Sequence, residues 1–142
     1  MESIGVKVLR DKIEDLSKDI FLSLEENDIL FIDSSHIIRP GGDVLFEFLE
    51  LLPLINKGVI IHVHDIFTPR HYPREWMIDQ RKLWNEQYIL EAFLTNNKNF
   101  EIISAVNYLK HSFPNELSKS CPVFAEQLQE REPGSFWIRK VL

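Results

Sequence analysis

The sequence has a single cysteine, Cys121, among its 142 residues. One thiol cannot form a disulfide within the chain, and the N-terminus shows no secretory leader pattern. A disulfide-stabilised secreted domain is therefore excluded, and we expect a cytoplasmic protein whose thiol is inert.

Long apolar stretches and blocks of basic residues are also missing. The longest apolar run, from Leu45 to Ile55, is interrupted by Glu47 and Glu50, whereas a membrane-spanning helix needs roughly 20 apolar residues. The net charge is −6, from 22 acidic and 16 basic residues. Such a charge gives no electrostatic reason to approach nucleic acid or an anionic membrane, so we expect neither as a partner.

Glycine is scarce, because the chain has five glycines and Gly5 is the only one before Gly41. Loops that cradle a phosphate or a nucleotide cofactor need closely spaced glycines directly after a strand. The Pro40, Gly41 and Gly42 stretch lacks that spacing and indicates a turn. The sequence therefore contains no glycine-rich cofactor loop.

Alternating strand and helix patterns run through the chain. Apolar runs predict strands at GVKVLRD, DILFID, VIIHVHD, FEIISAV and SFWIRKV, and apolar residues at helical spacing predict helices between the first four. Among these helices are VLFEFLELLPLI, with Asp43 as its N-cap, and RKLWNEQYILEAFLTNN. The pattern weakens from Asn107 to Pro133, where PVFAEQLQE indicates a short helix.

This order of elements predicts an α/β fold. Strand, helix and strand follow one another as in a βαβ unit, and strands that are apolar on both faces are typical of a buried parallel sheet. We therefore predict one domain over residues 1–142, a Rossmann-like, mostly parallel sheet with helices on both faces. The last two strands are expected to pair antiparallel at the C-terminal end of the chain.

Two aspartates end neighbouring predicted strands, Asp33 after DILFI and Asp65 after VIIHVH. Ligands bind outside the carboxyl ends of parallel strands, and paired strands lie roughly 4.8 Å apart. Two carboxylates at that spacing share either a proton or a cation such as Mg²⁺. His36, three residues after Asp33, is a candidate general base near neutral pH. The predicted chemistry is deprotonation of a hydroxyl held on a metal ion.

Structural roles remain open for the same residues. A strand-end aspartate also caps a helix or accepts loop amides, which is the alternative for Asp33 and for Asp65. His62 points to the opposite face from Asp65 and is predicted to be a hydrogen-bonded core residue. His64, at the tip of the strand, is equally consistent with a ligand, a supporting residue and a solvated residue.

The loop IFTPRHYPREW, which follows Asp65, carries two large aromatic residues. Tyr72 and Trp76 are predicted to form a lid that binds substrate over the strand ends. In the next helix, the spacing of Trp84 indicates helix core. Asn85 and Glu86 are consistent both with facing the site and with a solvated face.

The quoted motifs support a resemblance to a known family. NDILFIDSSHIIRPGGDVLFEFLELLPLINKGVIIHVHDIFTPRHYP followed by WNEQYILEAFL resembles the C-terminal part of class I S-adenosylmethionine-dependent methyltransferases, in the group called methyltransferase family 24. The resemblance extends from about Val6 to Leu142, and FIDSSH and HVHDIF are its specific parts. It implies a single partial methyltransferase-like domain, truncated at the N-terminus, because the strands that carry the family's cofactor loop normally precede DILFID.

The resemblance also implies roles for particular residues. It places Mg²⁺ at Asp33 and Asp65, His36 as the base, and His64 where a second acidic ligand is expected. Asp11, after VKVLR, matches the acidic position that contacts the adenine of the cofactor. The implied function is metal-assisted O-methyl transfer to a hydroxyl of a small molecule or sugar, by a chain that alone binds S-adenosylmethionine poorly.

The resemblance finally implies an open sheet edge at DILFID, which invites pairing with another chain. We expect a homodimer through this edge, or GVKVLRD folded back onto it. Two other functions remain open. One is a non-catalytic α/β domain that binds a partner or a sugar-like ligand, and the other is a hydrolase in which Asp33, Asp65 and His36 activate water.

Overall fold

The structure, a computed structural model, describes residues 5–142. Its strands form one four-stranded sheet in the order β1, β2, β4, β3. The strands are β1 (Ile29–Ile32), β2 (Ile60–His64), β3 (Phe100–Ala105) and β4 (Ser135–Lys140).

The helices between the strands are short. After a 3₁₀ turn at Ile13–Asp15 come α1 (Asp19–Leu22), α2 (Asp43–Leu45) with its π-helical continuation Phe46–Leu51, α3 (Arg74–Ile78), α4 (Glu86–Leu94), α5 (Val106–Ser112), α6 (Pro114–Ser120) and α7 (Pro122–Ala125). Within the described part of the chain, none of them has the length and apolar character needed to cross a bilayer.

The sheet is mixed. β1 and β2 pair in parallel, with Ile29 opposite Ile60 and Ile32 opposite Val63, whereas β4 pairs antiparallel with both β2 and β3. The βαβ unit and the antiparallel pairing of the last two strands are confirmed. The mostly parallel sheet is wrong, because β4 lies between β2 and β3 and makes two of the three pairings antiparallel.

The hydrophobic core lies on one face of this sheet. Alternate strand residues point to the same face, and here they pack against the helix at 43–51 and against α4. The buried side chains of this cluster include Ile32, Ile61, Val63, Phe136 and Ile138 from the strands and Val44, Phe48, Leu52 and Leu90 from the helical side. Removal of this apolar surface from water is the main stabilising contribution to the fold.

The opposite face of the sheet is aromatic and partly exposed. Ile29 and Phe31 of β1 are 54% and 57% exposed, so the helices predicted on both faces do not cover β1. The Phe31 ring stacks on His62 at a centroid distance of 4.3 Å, and Trp137 meets His62 edge-on at 4.4 Å. His62 is buried, as predicted, and its Nε2 lies 3.3 Å from Nδ1 of His64.

The first predicted strand is wrong. Val6 and Val8 of GVKVLRD are 82% and 67% exposed, and residues 5–11 join no strand. Two alternating valines favour an extended backbone, but an extended segment becomes a strand only where a neighbour accepts its hydrogen bonds and its apolar face. Within residues 5–142, β1 therefore has β2 as its only neighbour.

The helix predicted at VLFEFLELLPLI is confirmed in position but not in its cap. Asp43 is the first helical residue and Gly42 precedes it. The Asp43 carboxylate accepts hydrogen bonds from the backbone N–H and the hydroxyl of Ser35, at 2.7 and 2.6 Å, and from the N–H of Val44 at 3.0 Å. This carboxylate therefore fixes the loop that follows Asp33.

The predicted helix at residues 81–97 starts late, at Glu86. Arg81 has a left-handed backbone with a φ of 52°, a conformation that cannot continue a right-handed helix. Residues 79–85 are consequently irregular. Of the segment PVFAEQLQE, only Pro122–Ala125 is helical.

Candidate metal and acid–base site

Asp33, His36 and Asp65 come together at the carboxyl ends of β1 and β2. Each offers one ligand atom, and these atoms all lie within 4.8 Å of one another. Nε2 of His36 is 3.4 Å from Oδ1 of Asp33 and 3.9 Å from Oδ2 of Asp65. The structure thus assembles the three residues that the strand-end pattern singled out.

The backbone at two of these residues is unusual. His36 and Asp65 have left-handed φ values of 59° and 55°, a region that residues other than glycine adopt at some energetic cost. At Asp65 the chain is pressed against Gly134, where an added Cβ would lie 2.7 Å from the Asp65 Cα. Tight packing therefore fixes the position of the Asp65 Cα, from which the side chain extends.

Glu86 binds His36 at Nδ1, the ring nitrogen that does not face the two aspartates. Oε2 of this glutamate lies 2.7 Å from Nδ1 of His36, and Glu86 is fully buried. The other carboxylate oxygen accepts a hydrogen bond from the Ser34 hydroxyl at 3.2 Å, and the backbone N–H of Asn85 donates to the His36 carbonyl at 2.9 Å. With Nδ1 donating to Glu86, Nε2 of the neutral imidazole is the free acceptor that faces the aspartates.

The surroundings of His36 raise its pKa above the usual value. Burial lowers the pKa, but the hydrogen bond and the charge of Glu86, together with the charges of Asp65 and Asp33, outweigh the burial. The imidazole therefore gains a proton readily from a nearby donor, and a cation held between the aspartates would oppose the resulting positive charge.

An aromatic cluster forms one wall of the site. Trp84 lies nearest to His36, with ring centroids 4.2 Å apart, and Trp76 and Tyr72 contact Trp84 at 5.2 and 6.0 Å. The Lys82 ammonium lies 3.9 Å from the Trp76 ring centroid and 4.3 Å from that of Trp84. Tyr72 and Trp76, which were predicted as a lid, therefore contact Trp84 and lie behind it as seen from His36. Trp84 was predicted to be a helix-core residue, but it contacts His36 instead.

Tyr72 is itself part of the packed interior. It is 4% exposed, and its hydroxyl accepts a hydrogen bond from the backbone N–H of Gln87 at 3.1 Å. Trp76 is half-buried and meets the Phe67 ring edge-on at 5.3 Å.

His64 lies beside the group rather than within it. Its Nε2 is 3.6 Å from Oδ1 of Asp65, and its side chain is 42% exposed. Because its other ring nitrogen faces His62, this imidazole is oriented by the aromatic face of the sheet. The three ligand atoms within 4.8 Å come from Asp33, His36 and Asp65 without it.

Asp33 and Asp65 suit a divalent cation. Two carboxylates are donors that Mg²⁺ and the harder transition metals accept, and Nε2 of His36 lies beside them as an acceptor for a proton. The Asp33 side chain is 54% exposed, so water and a substrate oxygen can reach the remaining coordination positions.

S-adenosylmethionine does not fit the described residues. A cofactor loop needs glycines that leave room for a ligand against the backbone. At Gly42, Gly58 and Gly134, an added Cβ would lie within 2.7 Å of this chain's own atoms. Gly5 and Gly41 have open space but stand far apart in the sequence. Asp11 is exposed and belongs to no strand, so it lacks the strand-end setting expected of an adenine contact.

No family model, curated protein or solved structure matches this chain. The likeness to methyltransferases consequently rests on the quoted motifs alone.

Proposed function

We propose that this domain supplies the acceptor side of a metal-assisted O-methyl transfer to a hydroxyl of a small molecule or sugar. One observation carries the proposal. The ligand atoms of Asp33, His36 and Asp65 converge within 4.8 Å at the ends of two neighbouring parallel strands, where α/β folds bind their ligands.

Each residue has a role in this proposal. Asp33 and Asp65 hold a divalent cation such as Mg²⁺, which when bound makes a neighbouring hydroxyl more acidic. His36 accepts the hydroxyl proton at Nε2 as general base. Glu86 keeps the imidazole in the required tautomer and orientation, because Nδ1 donates to its buried carboxylate. The deprotonated oxygen is then the nucleophile toward the methyl group.

The resemblance implies S-adenosylmethionine as the methyl donor, but the described residues do not form a site for it. Methyl transfer by this domain therefore requires a donor site supplied from elsewhere.

Calorimetric titration with MgCl₂ and MnCl₂ tests the metal site. We expect binding to the wild type and at least a tenfold loss of affinity in Asp33→Asn and in Asp65→Asn, because each substitution removes one of two carboxylate ligands. Asp79→Asn is the matched control, since Asp79 is exposed in the turn after α3. If neither ion binds the wild type, or if binding survives both substitutions, the proposed function is wrong.

The exposure of Asp33 supports metal-dependent hydrolysis as a second candidate. A 54% exposed carboxylate admits water, which would take the place of the acceptor hydroxyl and give its proton to His36. Assays with p-nitrophenyl phosphate and p-nitrophenyl acetate in the presence of Mg²⁺ separate the two candidates. Turnover that is lost in His36→Gln favours hydrolysis, whereas metal binding without turnover favours the acceptor-side function.

A further inference from the structure

A second pocket lies in the loop between Asp65 and α3. Its volume is about 430 Å³, and Phe67 and Tyr72 contribute to its wall. Arg70, His71 and Arg74 also line it, and we call this cavity the arginine pocket. None of these three residues has a role in the proton transfer proposed above.

The two arginines of this pocket have no partner among residues 5–142. Neither guanidinium forms an ion pair or a side-chain hydrogen bond there, although the protein carries an excess of acidic groups. Guanidinium groups are the donors that bind carboxylate and phosphate in a bidentate manner. Both arginines are exposed, so two unpaired guanidinium groups beside one cavity are available to an anionic ligand.

Among residues 5–142, one carboxylate lines this pocket, and it is already engaged. Glu132 accepts hydrogen bonds from Lys110 at 2.5 Å, from His111 at 3.0 Å and from Asn107 at 3.0 Å. Although burial raises the pKa of Glu132, these three bonds lower it to about 2. The carboxylate thus has its charge balanced by Lys110 and leaves the guanidinium groups free.

A buried amide fixes the loop that presents the arginines. Gln87 is fully buried; its Oε1 accepts the Phe67 N–H at 3.3 Å, and its Nε2 donates to the Arg70 carbonyl at 3.1 Å. A buried amide must be satisfied to avoid a desolvation cost, and both of these side-chain bonds go to this one loop. Pro69 and Pro73 restrict the same loop further. A preorganised loop loses little entropy when it binds a ligand.

One residue of the pocket's lining, Phe67, lies next to Asp65 of the candidate metal site. The Phe67 ring and the Asp65 carboxylate lie side by side over Gly134, because an added Cβ there would be 3.2 Å from Cζ of Phe67 and 3.1 Å from Oδ1 of Asp65. Gln87, which holds the loop, directly follows Glu86, which holds His36. The start of α4 thus positions the base and the arginines together.

We propose that the arginine pocket binds the carboxylate or phosphate group of a small-molecule ligand. Resting on the proposed function, the same ligand is the acceptor, which is then a hydroxyl compound that also carries an acidic group. The arginines anchor this group while the hydroxyl lies at Asp33, Asp65 and His36.

Titrations with inorganic phosphate and with citrate test the pocket. Binding is measured by calorimetry and by the change in the thermal unfolding midpoint. At constant ionic strength, kept with NaCl, we expect binding to raise the midpoint of the wild type by mass action. The double variant Arg70→Gln/Arg74→Gln should bind at least tenfold more weakly, because it loses two charge-assisted donors. Arg81→Gln is the control, since Arg81 is exposed in the connection between α3 and α4 and outside the pocket.

The two probes separate the two kinds of acidic group, because a preference for phosphate indicates a phosphorylated ligand and a preference for citrate a carboxylated one. The arginine pocket is wrong if neither probe binds, or if the double variant binds as the wild type does. Its failure is distinct from failure of the metal site, since phosphate binding should persist in Asp33→Asn, which has lost the cation.

Discussion

Two glutamates are buried near the start of α4 and the helix at 43–51. Glu86 is fully buried and Glu47 is 3% exposed. Glu86 is compensated by the imidazole of His36 and the hydroxyl of Ser34. Glu47 is compensated less well, because its Oε2 has no hydrogen-bond partner among the described residues and a hydrogen bond from Ser34 lowers its pKa by less than burial raises it. Burial, and then the charges of Glu86 and Asp43, raise the pKa of Glu47 to about 9.

Replacement of Glu86 by glutamine should lower the pKa of His36. The variant removes the carboxylate whose hydrogen bond and charge favour the protonated ring, and loss of a neighbouring opposite charge disfavours the charged form. An NMR titration of the His36 imidazole measures this. Glu91→Gln, on the exposed side of the same helix, should leave the pKa unchanged. An unaltered pKa in Glu86→Gln would show that Glu86 does not set the charge of the base.

Glu47→Gln should stabilise the protein at neutral and alkaline pH. Because the folded pKa is raised, ionisation of this group in the unfolded chain above about pH 4.5 opposes folding until the folded state ionises near pH 9. The cost grows by up to about 1.4 kcal/mol for each pH unit in that window. Urea unfolding from pH 4 to pH 9 measures the free energy of unfolding of the wild type and of Glu47→Gln. The two values should be equal near pH 4 and should differ more as the pH rises. Parallel curves would mean that Glu47 is ionised in the folded protein.

Asp33, His36 and Asp65 could be predicted because their signal is local. A strand end fixes the place of each aspartate, and a spacing of three residues brings His36 back toward Asp33. Glu86 and Trp84 carry no such signal, because about fifty residues separate them from His36 and only the packing of α4 brings them there. From sequence alone, a glutamate that is buried at a helix start cannot be distinguished from a solvated glutamate.

Among the elements, the strands were easier to predict than the helices. DILFID, VIIHVHD, FEIISAV and SFWIRKV each form a strand, since their apolar residues have a sheet face to fill. The alternation in GVKVLRD is as regular, yet no strand among residues 5–142 pairs with it. Helix starts also depended on information outside the helical pattern, because Trp84 contacts His36 instead of extending α4. Periodicity therefore predicts which segments are compatible with burial in a strand or helix. It does not predict whether a neighbouring element is present to pair or pack with them.

Gln87→Ala should loosen the loop between β2 and α3. The variant removes both side-chain bonds to the backbone of Phe67 and Arg70 and leaves buried groups unsatisfied, which should cost about 2 kcal/mol or more of unfolding free energy. Limited proteolysis with trypsin under native conditions, followed by mass spectrometry, should show faster cleavage after Arg70 and Arg74. Gln80→Ala, an exposed glutamine of the following turn, is the control. Equal cleavage rates in both variants would mean that Gln87 does not hold the loop.

At the scale of the whole molecule, the edge of the sheet at β1 is open within residues 5–142. The four residues of β1 contain no proline and no charge, which are the devices that protect edge strands from pairing. Half of the Ile29 and Phe31 surface is exposed beside this edge. We propose that two copies pair there about a two-fold axis, β1 against β1, which extends the sheet across both chains.

Ile29→Lys should break such a dimer. The substitution places a charge in an apolar edge strand, and the two-fold axis introduces it twice into the same interface, so the dimer dissociation constant should rise at least tenfold. Sedimentation equilibrium over a range of concentrations measures it. Leu83→Lys, at a residue that is 71% exposed in the connection before α4, should not change the association. A wild type that sediments as a monomer at every concentration would exclude the pairing.

The positions of the three tryptophans give the protein its own optical reporters. Trp76 and Trp84 both stand in the aromatic wall beside His36, whereas Trp137 lies on the other face of the sheet against His62. Protonation of a histidine in contact with an indole quenches its emission. In Trp137→Phe, the remaining fluorescence therefore comes from Trp76 and Trp84 alone, and its pH profile reports the charge of His36. In the wild type, the same titration contains a second signal from His62, so subtraction of the two profiles separates the candidate site at the strand ends from the exposed aromatic face of the sheet.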